Sequence, residues 1–290
     1  MHNLIFLTDL AGSELDPYMR LNEAQLFHAL EPKPGLFIAE SPKVIERALR
    51  AGYQPVSLLV EEKELGRDLA DLDHEMAVNQ TQGLGQTPIY VVNSKLLRQL
   101  AGGGYNLLRG ALAVMHRLER PDLQSFLDAI SSDHPRIAIL ESVVNPTNIG
   151  AIFRSAAALG IDGVIVTSDS ADPLYRRSSR VAMGTVFQVP WTYVDAKTWQ
   201  TDGIDLLHAS GYQTAAMALR HNTVSIDDPQ LDKVDKLAII LGSEGPGLKE
   251  TTITRSDFTI KIPMATGVDS LNVAAASALA FWELGNRKVK

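Results

Sequence analysis

Short runs of wholly apolar residues, each joined to a helical pattern, most constrain how this chain can fold. In its second half, such runs cover residues 137–140, 164–166 and 237–241, and a further strand-like run covers 258–262. A strand that is apolar on both sides must be covered on both faces, as in parallel sheets that lie between two layers of helices. The pattern therefore predicts an α/β fold whose second half contains a parallel sheet.

The first third of the chain alternates in the same way and predicts a smaller α/β domain. Its strand-like runs cover residues 35–39, 56–60, 89–92 and 111–115. Ser41 suits the N-cap of a helix and Pro42 its first residue, while Gly52 would end that helix. Residues 119–135 carry two prolines and no strand pattern. We therefore expect a first domain over 1–118, a linker or connecting helix over 119–135, and a second domain over 136–290.

Composition limits the class of protein and its partners. The chain has 290 residues, long enough for two domains, and its net charge of -7 argues against a protein that coats nucleic acid nonspecifically. A basic cluster of Arg176, Arg177 and Arg180 could contact RNA phosphates, or it could be an ordinary solvated face. There is no cysteine, which excludes disulfides, thiolate nucleophiles and cysteine-based zinc sites, and we expect no metal.

The sequence also predicts where the protein works. No stretch approaches 18 uninterrupted apolar residues, and residues 1–17 lack a basic start and reach Asp9 too early for a signal peptide. We therefore expect a cytoplasmic protein that does not enter a membrane.

The first of three candidate functional segments covers residues 145–160 and directly follows a predicted strand. Apolar residues at helical spacing predict a helix, and Asn148 would lie at its entrance, where free backbone N–H groups favour an anionic ligand. Arg154 lies about a turn and a half further on and could point into the same cleft. The alternative is a capping asparagine and a surface arginine.

The second segment again follows a strand and is rich in glycine. It contains Leu241, Gly242, Ser243, Glu244 and Gly245, with a further glycine at 247. Glycines let a backbone approach a ligand closely, as cofactor loops require. The spacing matches neither the dinucleotide pattern GxGxxG nor the phosphate-binding pattern GxxxxGK[ST]. A tight turn without a ligand remains the alternative.

The third segment runs from a strand end into the last helix. It contains Ile262, Met264, Ser270, Leu271 and Asn272. We expect Ser270 to be the N-cap of this helix, and Asn272 could be merely a first-turn residue. No GxSxG motif occurs in the sequence, so nothing indicates that Ser270 is a hydrolase nucleophile.

In this order and spacing, the three segments resemble the signature motifs of the SpoU/TrmH family of RNA 2′-O-methyltransferases, within the SPOUT superfamily. The resemblance covers residues 136–290. It implies that the parallel-sheet domain contains a deep C-terminal trefoil knot, an exception to the usual absence of knots. It further implies a homodimer with its active site at the subunit interface, S-adenosylmethionine as the cofactor, and structured RNA as the substrate.

The resemblance also implies roles for individual residues. The catalytic set would be Asn148, Arg154, Glu244, Ser270 and Asn272. The cofactor would contact residues of the second and third segments, namely Leu241, Gly242, Ser243, Glu244, Gly245, Ile262, Met264, Ser270, Leu271 and Asn272. One departure is visible, because Thr266 stands where the family usually has glycine, and the glycine here is Gly267.

The first domain resembles the small α/β RNA-binding domain that precedes the catalytic domain in many family members. That likeness favours ribosomal RNA over tRNA as the substrate. Alternative functions are tRNA ribose methylation and a noncatalytic RNA-binding scaffold, which cofactor binding would distinguish from an enzyme. A nucleotide-dependent oxidoreductase is disfavoured, since no strand is followed by GxGxxG and an acidic residue about 20 positions later.

Overall fold

The computed structural model describes residues 3–30, 35–66, 72, 87–100, 111–220, 222–268 and 270–286. Its strands are β1 (Asn3–Phe6), β2 (Leu36–Glu40), β3 (Pro55–Glu61), β4 (Pro88–Val92), β5 (Ala111–His116), β6 (Arg136–Leu140), β7 (Gly163–Thr167), β8 (Trp191–Val194), β9 (Gln213–Met217), β10 (Val224–Ser225), β11 (Leu237–Leu241) and β12 (Phe258–Lys261). Its α-helices are α1 (Asp16–Met19), α2 (Glu23–His28), α3 (Pro42–Arg50), α4 (Ser94–Leu100), α5 (Leu123–Asp128), α6 (Pro146–Ala158), α7 (Arg176–Val181), α8 (Ala196–Thr198), α9 (Ile204–Ala209), α10 (Glu250–Arg255) and α11 (Val273–Leu284).

The chain divides into two compact units. The first contains Met1–Glu119 together with Leu174–Gln188, and the second contains Arg120–Pro173 and Val189–Lys290. The division after Glu119 lies next to the boundary expected from the sequence. The grouping of Leu174–Gln188 with the first unit was not expected, because nothing in the local pattern of that segment indicates which unit it packs on.

The first unit is built on a mixed five-stranded sheet in the order β1-β4-β3-β5-β2. Strand β4 runs parallel to β1 and β3, whereas β5 runs antiparallel to β2 and β3. Helix α3 confirms the prediction made for it: Ser41 occupies the N-cap position and Pro42 is the first helical residue. Gly52 follows the end of the helix with a φ of 86°, a conformation that glycine adopts without strain.

Helix α7 is tied to the first unit through a buried carboxylate, that of Glu40. Arg176 Nε lies 2.7 Å from Glu40 Oε2, and Arg180 Nη1 lies 3.2 Å from Glu40 Oε1. Two arginines of the basic cluster therefore neutralise a buried acid. Arg177, between them in sequence, is exposed.

Replacing Arg176 with alanine should lower the free energy of unfolding by about 2 kcal/mol, because it removes a partner from a buried carboxylate. Arg177→Ala, on the same helix, is the matched control and should change it by less than about 0.5 kcal/mol. Urea unfolding of both variants measures the difference. An equal decrease in the free energy of unfolding in both variants would show that the contact of Arg176 with Glu40 does not stabilise the protein.

The second unit contains a seven-stranded sheet in the order β10-β12-β9-β11-β6-β7-β8, and all its neighbouring strands are parallel. This confirms the parallel sheet predicted from the apolar runs. Strands β6, β7 and β11 are buried along their whole length. Strand β11 lies between β6 and β9, although both precede it in the chain.

Helix α11, the last helix, packs on α6 and begins later than expected. Its N-cap is Asn272, whose Oδ1 accepts hydrogen bonds from the backbone N–H groups of Ala274 and Ala275. The prediction that Ser270 caps this helix was therefore wrong: the cap lies two residues later, and asparagine caps as well as serine does. In the described part of the chain, no helix is long and apolar enough to span a membrane.

Candidate active site

A cavity of about 500 Å³ lies at the carboxyl ends of β9, β11 and β12 in the second unit. All ten residues expected to contact a cofactor line it: Leu241, Gly242, Ser243, Glu244, Gly245, Ile262, Met264, Ser270, Leu271 and Asn272. Met217, the last residue of β9, and the three residues after it, up to Arg220, also line the cavity and were not predicted. The second and third segments, separated in sequence, thus form one site.

The glycine-rich loop after β11 folds tightly back on itself. Ser243 and Gly247 pair as an isolated antiparallel bridge. A Cβ atom on Gly242 would lie 2.5 Å from the backbone nitrogen of Leu248, so no other residue fits there without displacing the backbone. Gly245 and Gly247 have φ values of 93° and 72°, which glycine tolerates best. The glycines are therefore required by the shape of the loop that lines the cavity.

A polar trio connects the three segments predicted from the sequence. The side-chain amide of Asn272 donates from Nδ2 to Asn148 Oδ1, at 3.2 Å, and to Glu244 Oε1. Because Asn272 Oδ1 faces the first amides of helix α11, its Nδ2 must face the other two members. The trio therefore has a fixed orientation. Among the described residues, no group of three His, Cys, Asp or Glu side chains could hold a metal ion.

Asn148 lies in the first turn of helix α6, at the entrance of the helix as expected, and it is not the residue that caps the helix. The cap is Asn145, whose side chain accepts a hydrogen bond from the Thr147 N–H at 2.9 Å. Asn148 is 5% exposed, and its Nδ2 has no hydrogen-bond partner among the described residues. An unsatisfied buried donor is costly, so this amide is a candidate for contact with a ligand.

The structure does not place every predicted catalytic residue at the cavity. Glu244, Ser270 and Asn272 line it, and Asn148 reaches it through Asn272. Arg154, on helix α6, is exposed and is not among the lining residues. The expectation that Arg154 shares the cleft with Asn148 is therefore not met within this single chain.

The loop that leads from β6 to helix α6 is held by residues that the sequence did not reveal. Ser142 has a φ of 55°; its N–H donates to Thr167 Oγ1 at 2.9 Å, and its hydroxyl donates to Asp169 Oδ2 at 2.6 Å. Burial raises the pKa of Asp169, but hydrogen bonds from Ser142 and Thr167 outweigh burial and hold the pKa below its usual range. The sequence signal available for Thr167 and Asp169 was their position within three residues after the apolar run 164–166.

Comparison with known sequences assigns the chain to a family. The SpoU rRNA Methylase family model matches residues 135–282, about half of the chain. An uncharacterized tRNA/rRNA methyltransferase of Mycobacterium bovis is 34% identical over 270 residues, which cover 93% of this chain and 87% of that protein. The 23S rRNA (guanosine-2′-O-)-methyltransferase RlmB of Vibrio vulnificus is 31% identical over 211 residues, covering 71% and 80%.

Solved structures share the fold. The AdoMet-bound rRNA methyltransferase from Sinorhizobium meliloti has a TM-score of 0.76 at 21% identity, covering 97% of both chains. The SpoU methyltransferase AviRb from Streptomyces viridochromogenes, in complex with AdoMet, has a TM-score of 0.73 at 23% identity, covering 94% of this chain and 97% of that one. The fold and the site thus define an α/β methyltransferase. The chain belongs to the SpoU rRNA methylase family and is an RNA methyltransferase.

Proposed function

We propose that this protein transfers a methyl group from S-adenosylmethionine to a ribose 2′-hydroxyl of structured RNA, with ribosomal RNA as the favoured substrate. The observation that carries the proposal is the hydrogen-bonded trio of Asn148, Glu244 and Asn272 beside the glycine-lined cavity. The trio joins all three motifs at one place. The similarity to a 23S rRNA 2′-O-methyltransferase supports the ribose 2′-oxygen as the methylated atom and ribosomal RNA as the substrate.

The cavity fits the cofactor in size and chemistry. Its volume of about 500 Å³ lies in the range of small-molecule sites. Leu241, Ile262, Met264 and Leu271 offer apolar surface for an adenine ring, and the turns at Gly242 and Gly245 offer backbone polar groups. S-adenosylmethionine supplies a methyl carbon bonded to a positively charged sulfur. The remaining task of the protein is to align the ribose oxygen with that carbon and to assist loss of its proton.

Each polar residue has a distinct part in this alignment. Arg154 binds the 2′-hydroxyl and a neighbouring phosphate. Because a guanidinium is a poor proton acceptor, it acts through charge and orientation, not as the base. Asn148 and Asn272 orient the ribose. The free Nδ2 of Asn148 supports that role, since it can only donate a hydrogen bond. Ser270 and Glu244 complete the polar side of the cavity.

We also propose the homodimer and the trefoil knot that the resemblance implies. In favour of the dimer, Val144 is 66% exposed just before helix α6, and Leu279 and Trp282 are exposed on helix α11, which packs on α6. A second subunit would cover this surface and could bring its own Arg154 to the cavity. In favour of the knot, strand β11 inserts between two earlier strands, β6 and β9.

The first unit is proposed to bind RNA in the cytoplasm, with Arg177 as the residue of the basic cluster that is most available to phosphate. We propose that residues 1–118 form the RNA-binding domain and that 136–290 carry the methyltransferase. Residues 120–135, expected to be part of a linker, belong to the second compact unit, where Leu123, Phe126 and Leu127 pack in its core. Arg176 and Arg180 are proposed to contribute less to RNA binding than the sequence suggested, because both contact Glu40. Arg177 is exposed on the same helix.

Arg177→Ala should weaken RNA binding about threefold to tenfold and reduce the slope of log affinity against log salt by about one, as expected for a lost phosphate contact. Its stability should be unchanged, the reverse of the pattern expected for Arg176→Ala. Filter binding of ribosomal RNA at several salt concentrations measures both quantities. An unaltered salt slope would exclude Arg177 from the interface.

Transfer of tritium from labelled S-adenosylmethionine to RNA tests the proposed function. Purified ribosomal RNA and tRNA from cells lacking this protein serve as parallel substrates. Preferential labelling of ribosomal RNA is the expected result. Preferential labelling of tRNA would show that tRNA is the substrate. If folded protein binds the cofactor but labels neither RNA, the result would contradict the proposal.

A further inference from the structure

Glu141 is a buried carboxylate that none of the three motif segments includes. It directly follows β6 and is 1% exposed. Its backbone N–H donates to the carbonyl of Leu241 at 2.9 Å, so it extends the pairing of β6 with β11 to the residue where the glycine-rich loop begins. A carboxylate in such a position is costly to bury unless hydrogen bonds replace its water.

Three donors surround the Glu141 carboxylate. Oε1 accepts a hydrogen bond from the backbone N–H of Lys249 at 2.7 Å. Oε2 accepts from Trp199 Nε1 at 2.6 Å and from the hydroxyl of Thr252 at 2.5 Å. All three donors are neutral, and Lys249 is the N-cap residue of helix α10. The charge is therefore held by directed hydrogen bonds, which fix the geometry of the groups that provide them.

These contacts place Glu141 at both ends of the glycine-rich loop. Its backbone binds Leu241, where the loop leaves β11, and its side chain binds Lys249, where the loop enters helix α10. Between these points lie three glycines, which restrict the backbone least of all residues. Fixed ends reduce the number of shapes that such a loop can adopt, in addition to the bridge between Ser243 and Gly247.

We infer that Glu141 is a positioning residue that holds the glycine-rich loop in the shape that binds the cofactor. Glu141 is absent from the lining of the cavity, so it acts through the loop and not by contact with a ligand. The inference rests on the proposed function, since it takes this loop to be the S-adenosylmethionine site. It assigns a role in binding to a residue outside that site.

Glu141→Gln tests the inference, because glutamine keeps the size of the side chain but turns an NH₂ group toward donors. Binding of S-adenosylhomocysteine is measured by calorimetry, and hydrogen exchange of the loop amides is measured in parallel. The dissociation constant should rise about tenfold, the size expected when a residue that supports a site is altered. The backbone amides of residues 242–245 and 247–249 should exchange faster.

Asp257→Asn is the matched control at the opposite end of the same sheet. Asp257 Oδ2 accepts from the Thr214 N–H at 2.7 Å and from its hydroxyl at 2.8 Å, and lies 2.9 Å from His208 Nε2. This change also turns an NH₂ group toward donors, so it should lower the melting temperature as Glu141→Gln does. It should leave S-adenosylhomocysteine affinity within about twofold of wild type.

The outcomes separate the inference from the function on which it rests. If wild-type protein does not bind S-adenosylhomocysteine, the proposed function fails. If wild type binds and Glu141→Gln binds equally well, or if both variants weaken binding equally, the positioning role is overturned. Should Glu141→Gln not fold, Thr252→Val removes only one donor and should weaken binding about threefold; wild-type affinity in that variant would likewise contradict the role.

Discussion

Asn272→Ser is expected to abolish methyl transfer while leaving the protein folded. Serine can still accept hydrogen bonds from the first amides of helix α11, so the N-cap is preserved. It lacks the amide Nδ2 that joins Asn148 to Glu244, so the polar trio is broken. We expect turnover to fall at least about 100-fold, as when a group that fixes reactive geometry is removed. Single-turnover assays with ribosomal RNA give the rate.

Asn272→Ala separates the two tasks of this side chain. It removes both the cap and the donor, so it should lose activity as Asn272→Ser does and also about 1 kcal/mol of stability. Thermal unfolding of the two variants measures the difference. Turnover near the wild-type value in the serine variant would show that the trio is only structural and that Asn272 serves as a helix cap.

Arg154→Ala is expected to lower turnover at least about 100-fold without affecting the fold or the cofactor site. Arg154 is exposed and is not among the cavity-lining residues, so the melting temperature and the affinity for S-adenosylhomocysteine should stay at wild-type values. The loss would then arise in the reaction step, as expected for a group that acts on the RNA. An Arg154→Ala enzyme with full turnover would exclude the proposed role.

Mixing two inactive variants tests where Arg154 acts. If the Arg154 of one subunit serves the cavity of its partner, a heterodimer of Arg154→Ala and Asn272→Ser subunits contains one intact site and recovers activity. If Arg154 serves its own chain, both sites of the heterodimer are defective and no activity returns. Co-expression with two affinity tags isolates the heterodimer. Recovered activity would also establish the dimer.

Several strands of the second unit could be predicted from the local pattern of apolar residues in the sequence. Runs that are apolar on both faces require a sheet covered on both sides, and such runs predicted β6, β7 and β11. Helix starts were predicted less well. Ser270 and Asn272 are of equally suitable residue types for a cap, so residue type alone does not decide between them, and the structure places the cap at Asn272.

The sequence predicted the three segments of the candidate site, but it did not predict the contacts between them. The resemblance named Asn148, Glu244 and Asn272, whereas the direction of their hydrogen bonds depends on the cap of helix α11. Glu141 was missed because its donors lie far along the chain, at Trp199 and in helix α10. The partners of Arg176 were missed for the same reason, since Glu40 lies 136 residues away. Local periodicity carries no information about such pairs.

The chemical position of the transferred methyl group tests the central claim most directly. RNA labelled by this enzyme from tritiated S-adenosylmethionine is hydrolysed in alkali, which cleaves only where a free 2′-hydroxyl can attack the adjacent phosphate. Methylation of the ribose 2′-oxygen predicts that the label appears in alkali-resistant dinucleotides, and that Asn272→Ser protein yields none. Label recovered in mononucleotides would place the methyl group on a base and would contradict the assignment of this protein as a ribose 2′-O-methyltransferase.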